Sequence, residues 1–181
     1  LIRSRVAKRY AKALLSLGLE DSKYQEYGKE LAVFSGFFAT NKEFREVIAN
    51  PAFAVEDRKR ILNIILGKGS YSNIVKNFLN LLLDKNRIDA IQEISSYYES
   101  LIDEVAQIAR VEVVTPRPLR EDARQRLEKA LEEMTSKKIR MEISEDKSLL
   151  GGLVVKIGDL VLDGSIKAQL EGLKESLGRG E

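Results

Sequence analysis

The sequence has no cysteine, no histidine and no tryptophan, and only three prolines. Without cysteine there is no disulfide framework and no thiol chemistry, a composition that suits a reducing compartment. Without histidine the commonest general base and the commonest metal ligand are gone, which excludes Ser-His-Asp triads and imidazole-held metals. Any catalysis would fall to Asp, Glu, Lys, Ser, Thr, Tyr or Arg. Charge of one sign is lacking too. The 30 Lys and Arg face 28 Asp and Glu, a formal net charge of +2, so no overall field marks a nucleic-acid or membrane-surface protein. No uninterrupted apolar run approaches the roughly 18 residues that signal a membrane span, and direct membrane insertion is not expected.

What is present is a chain of 181 residues, 44% hydrophobic and 32% charged. That length fits one ordinary domain or two small ones, with enough apolar side chains for a packed core. The opening, LIRSRVAKRYAKALLSLG, is basic and amphipathic, as a targeting peptide can be. Its helical spacing runs on into the body of the chain and is read as structure.

Two periods divide the chain. Residues 1–105 read as six helices. The first, near 4–19, puts Val6, Tyr10, Ala13, Leu14 and Leu17 on one face. The second, near 22–40, has Tyr27, Leu31, Phe34 and Phe38 as its stripe, and a short third, 42–49, stops before Pro51. A fourth covers 55–66 with Gly67 as its C-cap, a fifth 72–85, and a sixth starts near Ile88 with Ile91, Ile94, Tyr98, Leu101 and Val105 aligned. After Ala106 the period becomes two. Ala109, Val111 and Val113 alternate with Arg110 and Glu112, and Ile139, Met141 and Ile143 alternate likewise. Between them 120–136 is helical, with Ala123, Leu127, Ala130, Leu131 and Met134 on a face; a last helix near 166–177 carries Ile166, Leu170, Leu173 and Leu177. The expected architecture is mainly α: a six-helix bundle over 1–105, then a small α+β domain over 106–181.

The glycine-rich stretch GGLVVKIGDLVLDGS, 151–165, invites a nucleotide-binding reading. It contains neither G-x-x-x-x-G-K-[ST] nor G-x-G-x-x-G, and Asp159 directly after Gly158 would repel a phosphate. It reads instead as a strand entered through Gly151–Gly152, a Gly158–Asp159 turn, a return strand, and helix-capping residues at 163–165.

Two helices carry more apolar surface than one face needs. On the fifth, Ile74, Val75, Phe78, Leu79, Leu81, Leu82 and Leu83 spread over roughly 200° at about 100° per residue. Such a helix is either central in its bundle or buries a second face in a partner. On the first, Ala7, Ala11, Leu14, Leu15 and Gly18 form a second stripe, and Arg3, Arg5, Lys8, Arg9 and Lys12 precede any acid. Side by side the two helices would make a groove for an amphipathic helix, preferably an acidic one.

The strings RVAKRYAKALLSLG, NPAFAVEDRKRILNIILG, VKNFLNLLLDKNRIDAIQEISSYYESLIDE and GGLVVKIGDLVLDGSIKAQLEGLKESL resemble, in order and over essentially the whole chain, the delta subunit family of F-type ATP synthases, which includes the mitochondrial oligomycin-sensitivity-conferring protein. The resemblance implies a non-catalytic stator subunit with no cofactor, present in one copy per complex. It implies that N-terminal helices of alpha subunits bind the bundle in a groove between the first and fifth helices. By pattern match that groove falls on Ala7, Ala11, Leu14, Leu15, Ile74, Val75, Phe78, Leu79 and Leu82. It implies that the C-terminal domain meets b-type peripheral stalk subunits, and the last helix and the preceding hairpin are the expected surface. With no transit segment evident, the expected location is the cytoplasmic face of a bacterial plasma membrane, as part of the complex.

Two other functions are weighed. A nucleic-acid binder would use Arg117, Arg120, Arg124 and Arg126, or Lys137, Lys138 and Arg140, but Glu121, Asp122, Glu128, Glu132 and Glu133 interleave with them. A carboxylate-only hydrolase needs a distinguished acid pair, and none stands out.

Overall fold

The computed structural model describes residues 2–171. The chain divides into two compact units, Leu1–Ile102 and Asp103–Glu181. The division falls inside a helix, upstream of the change of period at Ala106.

In the N-terminal unit, helices α1 (Ile2–Glu20), α2 (Tyr24–Thr40), α3 (Lys42–Ala49), α4 (Val55–Lys68) and α5 (Asn73–Asp84) are followed by a 3₁₀ turn (Ile88–Ala90) and α6 (Ile91–Val105). They share one hydrophobic core. The α2 stripe Tyr27, Leu31, Phe34 and Phe38 is buried as its spacing predicts, and so are Ile91, Ile94, Tyr98 and Leu101 of α6. Phe34, Phe38 and Phe44 stack and meet edge-on within this core. Two expectations are corrected. The helix expected to end at Gly67 runs on to Lys68 with Gly69 as its cap, because one glycine inside a well-packed helix costs only about 1 kcal/mol. The first helix is also rotated from its expected setting. Ala7, Ala11, Leu14, Leu15 and Gly18 face the core, while Val6 and Tyr10 are half-buried and Ala13 and Leu17 are exposed. The reason is close approach. A Cβ on Gly18 would lie 2.7 Å from the Tyr24 Cα, so only the small-residue face of α1 fits against the start of α2.

The C-terminal unit holds β1 (Ile108–Thr115), α7 (Glu121–Thr135), β2 (Lys138–Glu145), β3 (Val154–Ile157) and β4 (Leu160–Asp163), and residues 166–171 are helical. The sheet order is β2-β1-β3-β4. β1 and β2 are parallel, as the α7 crossover between them requires, and β3 and β4 are antiparallel neighbours. Val111, Val113, Ile139, Val155 and Leu131 form a second, smaller core with Leu127 packed against it. Ala130 and Met134, expected on the same face of α7, are exposed. Leu173 and Leu177, the end of the last predicted helical stripe, lie outside the described residues.

The 151–165 stretch is a shaping device. Gly152 has φ +82, and a Cβ there would sit 2.2 Å from the Gly164 carbonyl oxygen. Gly158, at φ +57, makes the β3–β4 turn. The Ser165 amide donates to Asp163 Oδ1 (2.9 Å), and the Ala168 amide donates to Ser165 Oγ (3.2 Å). The Ser165 amide hydrogen bond holds the Asp163 carboxyl below the usual carboxylate range.

Candidate functional site

α1 and α5 meet through the edge of Tyr10 against Phe78, with ring centroids 6.3 Å apart. Of the nine groove residues expected from the sequence, Ala7, Ala11, Leu14, Leu15, Val75, Phe78, Leu79 and Leu82 are buried in the N-terminal core, and only Ile74 is half-buried. In the isolated chain those eight side chains face other helices. The apolar groups that reach solvent next to them are different ones. Leu17 on α1 is 45% exposed and Leu81 on α5 is 44% exposed. They continue the lines Val6–Tyr10–Ala13–Leu17 and Ile74–Phe78–Leu81 at helical spacing, and the Tyr10–Phe78 contact joins the two lines. The result is an apolar seam with a buried floor and exposed lips. Apolar spacing in the sequence sets the Val6–Tyr10–Leu17 arc of α1 toward the core and the Ala7–Ala11–Leu15 arc toward a partner; the close approach at Gly18 turns the second arc inward and leaves Leu17 open.

α5 is fastened at both ends. At its N-terminus the Glu30 carboxylate of α2 accepts from the Ser72 amide and the Ser72 hydroxyl, both at 2.8 Å, while Ser72 Oγ accepts from the Val75 amide at 3.3 Å. An anion there also favours the positive end of the helix dipole. Burial and the Glu30 charge together push the nearby Tyr71 phenol up. At the other end Arg58 of α4, only 1% exposed, donates from Nη1 to the Ile48 carbonyl (3.2 Å) and from Nη2 to Asn86 Oδ1 (3.0 Å). Asn86 has φ +50, in the turn that follows α5. Sequence periodicity gives no warning of this buried cation. Lys59 pairs with Asp84 at 2.7 Å beside it. Between α1 and α2, the Tyr27 hydroxyl donates to Asp21, and that bond raises its pKa to about 12. The Tyr98 hydroxyl of α6 donates to the Tyr24 carbonyl at 2.9 Å.

Four of the arginines weighed as phosphate ligands, Arg120, Arg124, Arg126 and Arg140, have acidic partners. Arg126 pairs with Asp122 at 2.8 Å, Arg120 with the same carboxylate group at 3.6 Å, and Arg124 with Glu121 at 4.0 Å. Arg140 and Arg110, cross-strand neighbours on β2 and β1, share the buried Asp103 carboxylate. Among the described residues no group of three or more acidic side chains is placed to hold a metal ion.

The family model for the ATP synthase delta (OSCP) subunit matches residues 6–177. ATP synthase subunit delta of Desulforapulum autotrophicum is 43% identical over 176 residues, covering 97% of this chain and 96% of its own. The protein of the same name from Desulfosudis oleivorans is 40% identical over 176 residues with the same coverage. That of Trichlorobacter lovleyi is 39% identical over 180 residues, 99% of this chain and all of its own. A chain in the solved Toxoplasma gondii mitochondrial ATP synthase hexamer has the same fold, with a TM-score of 0.66 over 94% of this chain and 96% of that one, at 18% identity.

Proposed function

The chain belongs to the ATP synthase delta (OSCP) subunit family, and from that premise we propose that the α1–α5 seam receives an N-terminal helix of an alpha subunit. As a member it is a structural, non-catalytic subunit of F-type ATP synthase, a stator element linking the catalytic head to the peripheral stalk. Among its described residues no helix is long and apolar enough to cross a membrane, and its association with the membrane is peripheral, through the complex.

Helices α1–α6 act as one six-helix bundle that holds the head. The 103–181 unit holds b-type stalk subunits through the β3–β4 hairpin and the helix that starts at Ile166. One copy serves each complex, on the cytoplasmic face of a bacterial plasma membrane. In the groove, the Tyr10–Phe78 contact and Ile74 form the floor, Val6, Leu17 and Leu81 are the lips, and the other residues inferred from the family pattern are the packed layer that holds the two helices in place. On the stalk side, Leu160, Val161 and Leu162 of the edge strand β4 are all exposed, as are Ile166 and Leu170.

The observation that carries the groove is the pair of exposed leucines beside the Tyr10–Phe78 contact. A stator contact must hold without chemistry. A specific interface buries about 800 Å² per partner, and a preformed apolar groove of this kind is compatible with micromolar affinity, about −8 kcal/mol. Titration calorimetry with a peptide matching the N-terminal helix of the alpha subunit from the same organism tests it. Saturable one-to-one binding is expected, and Leu17→Asp should weaken it by about 2 kcal/mol or more, the scale of burying one leucine. A folded chain that binds no peptide would refute the groove.

A further inference from the structure

The exposed half of α1 is divided by charge. At about 100° per residue, Lys8, Lys12, Arg5 and Arg9 sweep roughly 100° of the helix, and Ala13, Val6, Leu17 and Tyr10 occupy roughly the next 60°. All four cations are exposed. Arg5 is three and four residues from Lys8 and Arg9, and Lys12 is four and three from the same pair. Every helical neighbour within this set is therefore of like charge, a spacing that destabilises a helix. No acidic residue lies in the first turn of α1, although the positive end of a helix dipole favours acids there. Among the described residues none of the four forms an ion pair. Two rest on rings instead: Lys8 Nζ is 5.5 Å from the centroid of Tyr97, and the Arg9 guanidinium is 5.3 Å from that of Tyr10. Arg9 thus leans on the same tyrosine that joins α1 to α5.

The other side of the seam is different. Beyond Ile74 and Leu81, the exposed side chains of α5 are Asn73 and Asn77, with Asp84 at its end already paired to Lys59; the half-buried Lys76 and Asn80 lie further round, away from the seam. The groove therefore has one basic wall and one neutral amide wall.

We propose that the occupant of this groove is an amphipathic helix with carboxylates along one flank of its apolar face, and that Arg5, Arg9 and Lys12 are the residues that read that flank. The inference rests on the seam being a helix-binding groove. The uncompensated cations are a standing cost in the free chain that an acidic guest removes. Turning a helix end for end in a groove exchanges its flanks, so a single charged wall also selects the direction in which the guest lies.

The test uses the full chain and the alpha-subunit N-terminal peptide as probe. Arg9→Gln with Lys12→Gln and, separately, Asn73→Asp with Asn77→Asp each change the charge by the same amount, one pair on each wall. At about 20 mM salt, where screening is weak, the first pair should lower affinity at least tenfold and the second less than threefold. At about 500 mM the gap should close to under threefold as the Debye length falls to a few ångströms. Equal losses from both pairs would mean a general field and overturn the proposal, as would unchanged affinity in the first pair. In either case Leu17→Asp still weakening binding by about thirtyfold or more would leave the groove itself standing. Failure of the unsubstituted, folded chain to bind the peptide would remove the groove and this inference with it.

Discussion

Arg58 is a full positive charge inside the N-terminal core, with neutral acceptors at both Nη atoms and a buried Nε that has no partner. It sits against the C-terminal end of α3 and the turn after α5, where the negative ends of two helix dipoles help to hold a cation. Consider Arg58→Lys and Arg58→Met. Lysine keeps the buried charge but loses the planar fork, so one ammonium cannot serve acceptors on both sides. It forfeits one charge-assisted hydrogen bond, about 1.5–3 kcal/mol, and still bears the desolvation of an ion. Methionine abandons both bonds. The Ile48 carbonyl is left without this donor, a loss of about 1–3 kcal/mol, while Asn86 is exposed and finds water. Against this, several kcal/mol of ion desolvation disappear and a similar volume is filled. The expected order is therefore inverted from ordinary conservatism. Arg58→Met should cost about 1–2 kcal/mol and Arg58→Lys about 2–4 kcal/mol. The lysine variant carries a second signature. Burial lowers the pKa of an amine, so the unfolded state binds more protons than the folded one and the deficit of Arg58→Lys shrinks as pH rises toward the ordinary lysine value of about 10.4. Urea unfolding of the full chain, followed by helical circular dichroism at pH 7 and 9.5, measures both. A methionine variant less stable than the lysine variant, or a lysine deficit that grows with pH, would refute the account of Arg58 as an unpaired buried ion.

Two further outcomes follow from local geometry. Gly152→Ala should destabilise the C-terminal unit by about 3 kcal/mol or more, because positive φ and a backbone overlap act together, whereas Gly158→Ala, with open space around it, should cost only about 1–2 kcal/mol; thermal melts that rank the two the other way would contradict the close approach at 164–165. In a spectrophotometric titration the Tyr27 phenol should ionise near pH 12, and Asp21→Asn should bring it down. The Tyr27 contribution to stability is complete below the unfolded value of about 10 and is lost as pH rises through about 12.

How much of this was legible depends on which interaction set each feature. Helices α2, α3 and α6 follow from apolar spacing and a proline, since each buries a single face. The alternation at 109–113 revealed a strand, and the sequence between 151 and 165 showed its turns, because glycine and aspartate act locally there. The setting of α1 was not legible from periodicity. Its two arcs are similarly apolar, and the choice was made by contact between Gly18 and Tyr24, far enough apart in chain terms to lie in different helices. The same rotation explains why the four groove residues inferred on α1 lie in the core, while Leu17, read as core, is open; the four buried ones on α5 are there because that helix is packed on most of its circumference. Arg58, Glu30 and the shared carboxylate of Asp103 are long-range polar choices, and no period marks them.

The excess apolar arc of α5 offered two explanations, a central helix or a second face for a partner, and the structure makes them compatible. Val75, Phe78, Leu79, Leu82 and Leu83 are consumed by the core, yet Leu81 remains exposed and Ile74 half-buried. A helix that is already packed on most of its circumference, and held by Glu30 at one end and Arg58 at the other, has little conformational freedom left to lose when its remaining face is covered. Ordering costs subtract directly from binding, so a small exposed strip on a fixed helix can contribute more to affinity than a wider strip on a loose one. In the proposed groove, for a link that must resist torque, the fastening of α5 inside its own unit would matter as much as the two leucines that face outward.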